Sequence, residues 1–98
     1  MTMQIVTPTA GQTITRKNAD GDISIILKPA TLLLTLTVAM GAGDFDGQRC
    51  HVMSTNAITT LTMTVTGSVV NPLVGLAING CGMFQWSAAD STWYRIGN

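Results

Sequence analysis

Residues 31–38, TLLLTLTV, and residues 58–66, ITTLTMTVT, decide the fold class of this chain. Apolar side chains recur at every second position in both stretches, which is the pattern of a strand with one buried face. The predicted inward set is Leu32, Leu34, Leu36 and Val38 in the first stretch, and Leu61, Met63 and Val65 in the second. The two stretches echo each other, but two similar segments do not predict a repeat array.

The rest of the chain reads as further short strands separated by turns. The candidate strands are residues 3–7, 12–16, 23–28, 48–54, 69–78, 83–87 and 92–96. Gly, Asn or Asp stands in nearly every gap between them, and these residues tolerate positive φ or cap turns. The chain holds 15 Thr and no Glu, a composition that favours strands over helices.

These patterns predict a single all-β domain over residues 1–98. Eight or nine short strands with turns about ten residues apart indicate an antiparallel β-sandwich, of the jelly-roll type, with a small barrel as the alternative. Residues 1–15 are a candidate extended arm, because the amino-terminal part matches no known motif that fixes the register of its strands.

Charge and hydropathy restrict the class of partner. Five basic and five acidic residues give a formal net charge of zero, with no basic run to neutralise phosphates. No stretch is apolar over a length that spans a membrane, and the first residues lack a signal-peptide pattern. We therefore expect no nucleic-acid binding and no membrane binding.

The apolar fraction predicts a protein partner instead. Hydrophobic residues make up 46% of the chain and charged residues 10%, so apolar surface should remain for another protein or another copy. We expect a homo-oligomer, a dimer or a trimer, with Leu33 and Met40 on the second, outward faces of their strands.

Groups for catalysis or metal binding are scarce. The one histidine, His51, is adjacent to Cys50 in a strand pattern, so the two side chains point to opposite faces and cannot form a nucleophile pair. Cys50 and Cys81 lie 31 positions apart, unlike the closely spaced ligand pairs of structural zinc sites. We predict no enzyme, no catalytic residue, no metal and no cofactor.

The two cysteines could lie near each other, but without a secretion signal we expect a protein made in a reducing cytoplasm, where a disulfide is not maintained. We predict two free thiols, with Cys50 packed as a small hydrophobic residue and Cys81 in a tight turn.

Aromatic residues are concentrated near the carboxyl end. Trp86, Trp93 and Tyr94 could form a platform on which sugar rings stack, or they could belong to the core or to a subunit interface. The strand pattern favours the core or interface, and a glycan contact through these three residues is the alternative.

The carboxyl-terminal half resembles a known class of proteins. The segments DFDGQRCHVMSTNAITTLTMTVTG and FQWSAADSTWYRIGN, within residues 44–98, are similar to β-rich domains of bacteriophage virion proteins, in tail fibres and small capsid-associated proteins. A chain that starts with its own Met and ends on the closing strand resembles the capsid decoration, or cement, proteins among them.

The resemblance implies a structural role on the capsid surface of a virion, in a protein made in the host cytoplasm. A decoration protein binds the outer shell non-covalently, stabilises subunit junctions and has the major capsid protein as its partner. The expected contact residues are Met3 and Ile5, which can pair with a strand edge of the capsid, and the apolar loop residues Val70, Leu73 and Val74. The alternative is a receptor-binding, glycan-binding module of a tail fibre or spike.

Overall fold

The computed structural model describes residues 2–97, and in this range the regular secondary structure is entirely β. No helix long and apolar enough to cross a membrane occurs there. The nine strands are β1 Thr2–Val6, β2 Thr13–Thr15, β3 Ile23–Leu27, β4 Leu33–Gly41, β5 Arg49–Ser54, β6 Ile58–Val65, β7 Ser68–Val70, β8 Cys81–Ser87 and β9 Thr92–Gly97.

The first six strands wind as three coils of a short β-solenoid. Each coil gives its first strand to one sheet and its second strand to another. Strands of successive coils pair in parallel, β1 with β3 and β3 with β5 in one sheet, and β2 with β4 and β4 with β6 in the other. The aligned residues Thr2, Ile23 and Cys50 therefore follow one another at steps of 21 and 27 residues.

The remaining strands close the carboxyl-terminal end of the solenoid. The larger sheet has the order β1-β3-β5-β8-β9-β7, in which β8 is antiparallel to β5 and β9, and β7 is parallel to β9. In the three-stranded sheet, the free edge of β6 is covered by the loop of residues 72–77. The amide of Leu61 donates to the carbonyl of Val74 at 2.9 Å, and Ile58 exchanges two hydrogen bonds with Leu76.

The core lies between the two sheets. Inward residues of every coil meet there, and the hairpin β8–β9 adds Phe84, Trp86 and Trp93. Apolar burial of this kind is the main stabilising term in a domain of this size. The most completely buried large side chains are Trp93, Phe84, Ile23, Ile25, Leu27, Leu36, Met40 and Ile58.

The all-β prediction with eight or nine strands is confirmed, but the pairing differs from an antiparallel jelly roll. Five of the seven strand pairs are parallel. The segment expected as an arm forms the first coil over residues 2–15, while Met1 lies outside the described residues. Of the candidate strand 69–78, only the first residues form β7, because the rest is the irregular loop against β6.

The alternation in β4 is correct for its second half and wrong for its first. Leu36 and Val38 are buried as predicted, but Leu33 is buried as well, while Leu34 is 67% exposed. The alternation of buried and exposed residues is interrupted here, since two consecutive residues, Leu34 and Thr35, are both exposed. Leu33 and Met40 are therefore core residues and not the outward apolar residues expected from the sequence.

Candidate interaction surface

One outer face of the molecule is apolar. In the six-stranded sheet, residues that alternate with the core positions point outward and align across β1, β3, β5 and β8. We call them the apolar outer face, and by strand register they form two rows: Met3, Ser24, His51 and Met83, and Ile5, Ile26, Met53 and Cys81. No charged residue stands in either row, and Met3 and Ile5 are each 57% exposed.

A shallow groove of about 380 Å³ runs over the middle of this face. Its outward lining is Ser24, Ile26, His51, Met53 and Cys81. The Nδ1 atom of His51 is buried and has no hydrogen-bond partner among the described residues. An imidazole nitrogen in such surroundings has lost water without gaining a partner, as happens on a surface dominated by apolar neighbours.

The opposite outer face, on the three-stranded sheet, is polar. Threonines align there across the three parallel strands, and Thr13, Thr37 and Thr62 occupy one register position. Thr15 and Thr64 flank Ala39 in the next row. A face of this kind is well solvated, so the two faces of the molecule differ sharply in character.

The structure separates the residues expected to contact a capsid. Met3 and Ile5 are exposed on β1, at one edge of the larger sheet, whereas Val70 is 48% exposed on β7 at its other edge. Val74, 75% exposed, lies in the loop beside β6. Leu73 is only 3% exposed and packs where a Cβ on Gly82 would stand, so its expected role as a contact residue is wrong.

The tryptophans belong to the core and offer no platform to a sugar. Trp86 and Trp93 are 6% and 0% exposed, with ring centroids 5.3 Å apart. The indole Nε1 of Trp93 donates to the carbonyl of Gly41 at 2.9 Å, so its polar atom is satisfied inside the protein. Tyr94 is partly exposed and donates its hydroxyl to Asp90, a bond that raises the pKa of the phenol.

The two cysteines are free thiols and Cys50 is packed in the core, as predicted, but Cys81 is the first residue of β8 and does not lie in the expected tight turn. Cys50 is fully buried, 3.8 Å from the sulfur of Met40. Burial raises the pKa of its thiol to about 12, against a smaller opposing effect of the Arg16 charge. Cys81 is exposed on the apolar outer face at the start of β8, directly after the turn that contains Asn79.

A polar network at one corner of the core has no counterpart in the sequence patterns. The Arg16 side chain is 2% exposed and bonds the Asp44 carboxylate at 3.0 Å, and its Nε donates to the carbonyl of Met40 at 2.8 Å. Its guanidinium also stands 5.5 Å from the ring centre of Trp93. Because Arg16 and Asp44 are 28 positions apart, no local sequence pattern predicts their ion pair.

Asp44 is held by three donors. Burial raises the pKa of its carboxyl, but hydrogen bonds from the Ala19 amide, Arg16 and Gln48 outweigh that effect and hold the pKa below the ordinary 3.8. Every group in this corner is bound to another, so the network ties the first coil to the loop before β5. The network has a structural role, since the Asp44 carboxylate and the Arg16 guanidinium are both engaged in hydrogen bonds.

No cluster of three or more His, Cys, Asp or Glu side chains occurs within residues 2–97. Cys50 and His51 point to opposite sides of β5, so the two strongest neighbouring ligands never converge. Comparisons of this chain with protein-family models, with curated proteins and with solved structures found no match.

Proposed function

We propose that this chain is a structural protein of a phage virion, a capsid decoration protein that binds the outer shell through its apolar outer face. The observation that carries the proposal is the contrast between the two faces of the solenoid. One carries no charge and is mostly apolar, with Ser24 and His51 as its polar members, and the other is dominated by threonines, with Leu34 as an exposed apolar exception. The resemblance of residues 44–98 to phage virion β-domains supports the choice of the shell as partner.

The apolar outer face is close in size to a functional patch. Apolar patches of about 300–600 Å² on a single chain are often binding sites. The two rows of this face hold eight outward residues, each covering about 4.8 Å by about 6.6 Å of the sheet, or roughly 250 Å² in all, close to the lower end of that range. The partner surface should be apolar and weakly charged, because a protein with a net charge of zero gains no long-range attraction from a charged surface.

Binding of this kind stabilises the shell by linkage. A protein that binds the assembled shell, but not its separated subunits, shifts the equilibrium toward the shell at every occupied site. At a free concentration of about 100 times Kd the gain is about 2.7 kcal/mol per site. This mechanism involves no covalent step, because the gain comes from binding alone.

The test uses shells assembled from the major capsid protein of the same phage, heated with and without the protein. We expect a higher disassembly temperature with the protein, and loss of that gain with Met53→Lys, which puts a charge in the centre of the apolar outer face. Thr62→Lys, on the threonine face, is the matched control and should bind normally. Equal shell stability with and without the protein, or equal binding of the two folded variants, would contradict the proposal.

A second candidate, glycan binding on a tail fibre or spike, has one observation in its favour. A cleft of about 320 Å³ lies beside Tyr94, lined also by Asp46, Gln85 and Ser87. Trp86 also lines this cleft, but it is only 6% exposed, so the ring available for stacking on a sugar is that of Tyr94. Binding on a glycan array that disappears with Tyr94→Ala, in a variant with an unchanged melting temperature, would favour this candidate over the shell.

A further inference from the structure

The edge of the larger sheet at strand β1 is bare, while the other sheet edge at the far end of the solenoid is protected. At the carboxyl-terminal end, the loop of residues 72–77 bonds the edge of β6, and the larger sheet ends on β7, a strand of only three residues. Within residues 2–97 no segment pairs with the outer side of β1. Unpaired strand edges of this kind are templates for pairing with another chain.

The hydrogen-bond register shows which backbone groups face outward. The amide of Thr2 donates to the carbonyl of Asp22 at 2.9 Å, and the carbonyl of Val6 accepts from the amide of Lys28 at 2.8 Å. In a parallel ladder, residues that face the neighbouring strand alternate with residues that face away. The N–H and C=O groups of Met3 and Ile5 therefore point away from β3, toward open space.

Nothing in β1 protects this edge. Natural edge strands are usually blunted by Lys, Pro, a bulge or a covering loop. The sequence TMQIV contains no charge and no Pro, and its five residues pair with β3 without a register shift. Two of its side chains, Met3 and Ile5, are also the large apolar ones that are each 57% exposed.

We propose that two copies of this chain dimerise by antiparallel pairing of their β1 strands about a two-fold axis at Gln4. In this register Met3 of one copy stands opposite Ile5 of the second copy, and the reverse pair follows by symmetry. Both residues present backbone donors and acceptors, so the two pairs form four hydrogen bonds. The exposed side chains of Met3 and Ile5 then pack on each other across the joint.

Charge at the strand ends favours the antiparallel orientation only weakly. Asp22 stands beside the Thr2 end of β1 and Lys28 beside its Val6 end, because these residues flank the neighbouring strand β3. Antiparallel pairing brings the Asp22 end of each copy toward the Lys28 end of the other, at two places. These charges lie about three strand spacings, roughly 14 Å, apart across the joint, so salt screens them and their contribution to the orientation is small.

The second sheet is compatible with the same axis. A two-fold axis normal to the sheets places β2 of the two copies next to each other when it pairs the β1 strands. The carbonyl of Thr15 already accepts a hydrogen bond from Gln4 Nε2 at 2.7 Å, so β2 offers fewer free groups. Strand β1 is therefore the principal contact, and both sheets continue across the dimer.

Sedimentation of the whole chain tests the proposal directly. We expect a dimer at micromolar concentration and a monomer for Ile5→Lys, since a charge would be buried in the joint. Two matched controls should remain dimeric: Ile96→Lys, exposed on β9 in the same sheet, and Leu34→Lys, exposed on the other sheet. A monomeric wild-type chain would overturn the proposal, as would a dimer that Ile96→Lys dissociates and Ile5→Lys leaves intact.

Cysteine cross-linking tests the register, in a Cys81→Ser background so that no native thiol is exposed. An equimolar mixture of Met3→Cys and Ile5→Cys chains should form a disulfide-linked dimer with oxidised glutathione, because opposite residues lie within disulfide reach. Each variant alone should form little. Cross-linking of the single variants as complete as that of the mixture, or no cross-linking in the mixture, would overturn the register. The dimer stands or falls independently of the capsid proposal, since neither experiment includes a shell.

Discussion

At the scale of single residues, Cys50 is the side chain whose chemistry is changed most by its position. Its thiol is fully buried, so the folded protein holds the proton to about pH 12, whereas an unfolded chain releases it near the ordinary pKa of 9.0. A pKa raised by folding stabilises the protein fully below pH 9.0, and this contribution is lost as the pH rises toward 12. Alkaline conditions should therefore destabilise the wild type.

Substitution at Cys50 separates packing from titration. Cys50→Ala should remove part of the stability loss between pH 9 and 12, measured as free energy of unfolding in urea at several pH values. Cys50→Ser should cost about 1–3 kcal/mol at pH 7, because the new hydroxyl is buried without a partner. A wild-type pH profile that is identical to that of Cys50→Ala would show that the thiol ionises at its ordinary pKa.

For Asp44 we expect the opposite pH dependence of the free energy of unfolding, a loss of stability toward acid pH. Its pKa is held below 3.8 in the folded state, so its contribution is present above that value and lost as the pH falls through the lower folded pKa. Asp44→Asn removes the charge that pairs with Arg16, which keeps its hydrogen bonds to backbone carbonyls, and should cost about 1.5–3 kcal/mol at pH 7. It should also flatten the acid side of the stability profile.

The control for this prediction is Asp20→Asn, which changes the same charge at an exposed position of a neighbouring turn. Urea unfolding of the three proteins from pH 2 to 7 decides the matter. If Asp44→Asn lost no more stability than Asp20→Asn at neutral pH, the ion pair with Arg16 would contribute nothing to folding.

At the scale of elements, the turn before β7 depends on one glycine. Gly67 has a φ of +100°, and a Cβ there would stand 2.1 Å from the carbonyl oxygen of Ser91. Gly11 also has positive φ, +76°, but open space around it. Gly11→Ala should cost about 1–2 kcal/mol for the backbone conformation alone. Gly67→Ala should cost clearly more, since β7 must also move away from Ser91.

Thermal melts compare the two variants, because Gly11→Ala adds only backbone strain whereas Gly67→Ala adds backbone strain and a steric clash with Ser91. Equal losses of melting temperature would mean that β7 relaxes without penalty and contributes little to the closure of the solenoid.

The strands could be predicted from the sequence, whereas their pairing could not. Residues 61–66 alternate, and β6 occupies Ile58–Val65 with the predicted side, Leu61, Met63 and Val65, inward. Alternation has a period of two in parallel and antiparallel strands alike, so it carries no information on direction. The usable signal was the echo between residues 31–38 and 58–66, which are the strands β4 and β6 paired in parallel.

The candidate interaction surface could be predicted only in part from the sequence, because it depends on the strand pairing. Met3 and Ile5 alternate with Gln4, so their outward position follows from the strand pattern, and their exposure agrees with it. The apolar outer face also requires knowing that β3, β5 and β8 lie side by side, which depends on the pairing. Leu73 was misplaced because the loop that contains it folds inward against Gly82, a contact that no period predicts.

At the scale of the whole molecule, dimerisation should couple stability to concentration. Because a tenfold rise in concentration is worth about 1.4 kcal/mol per dimer, or half of that per chain, the melting temperature should rise by about 3–5 °C per decade. Ile5→Lys should show a melting temperature independent of concentration. A wild type with no such dependence between 1 and 100 micromolar would indicate that folded monomers, not dimers, are being melted.

The closed carboxyl-terminal end also decides how far self-association can go. A solenoid with two bare ends could add copies at both, and the product would be a fibril of indefinite length. In this chain the loop of residues 72–77 bonds the edge of β6, and the other unpaired edges, those of β2 and β7, are only three residues long. Pairing of β1 therefore uses the longest unpaired edge of the described residues. Growth stops at two copies, and an exposed apolar strand that is an aggregation hazard elsewhere becomes self-limiting here.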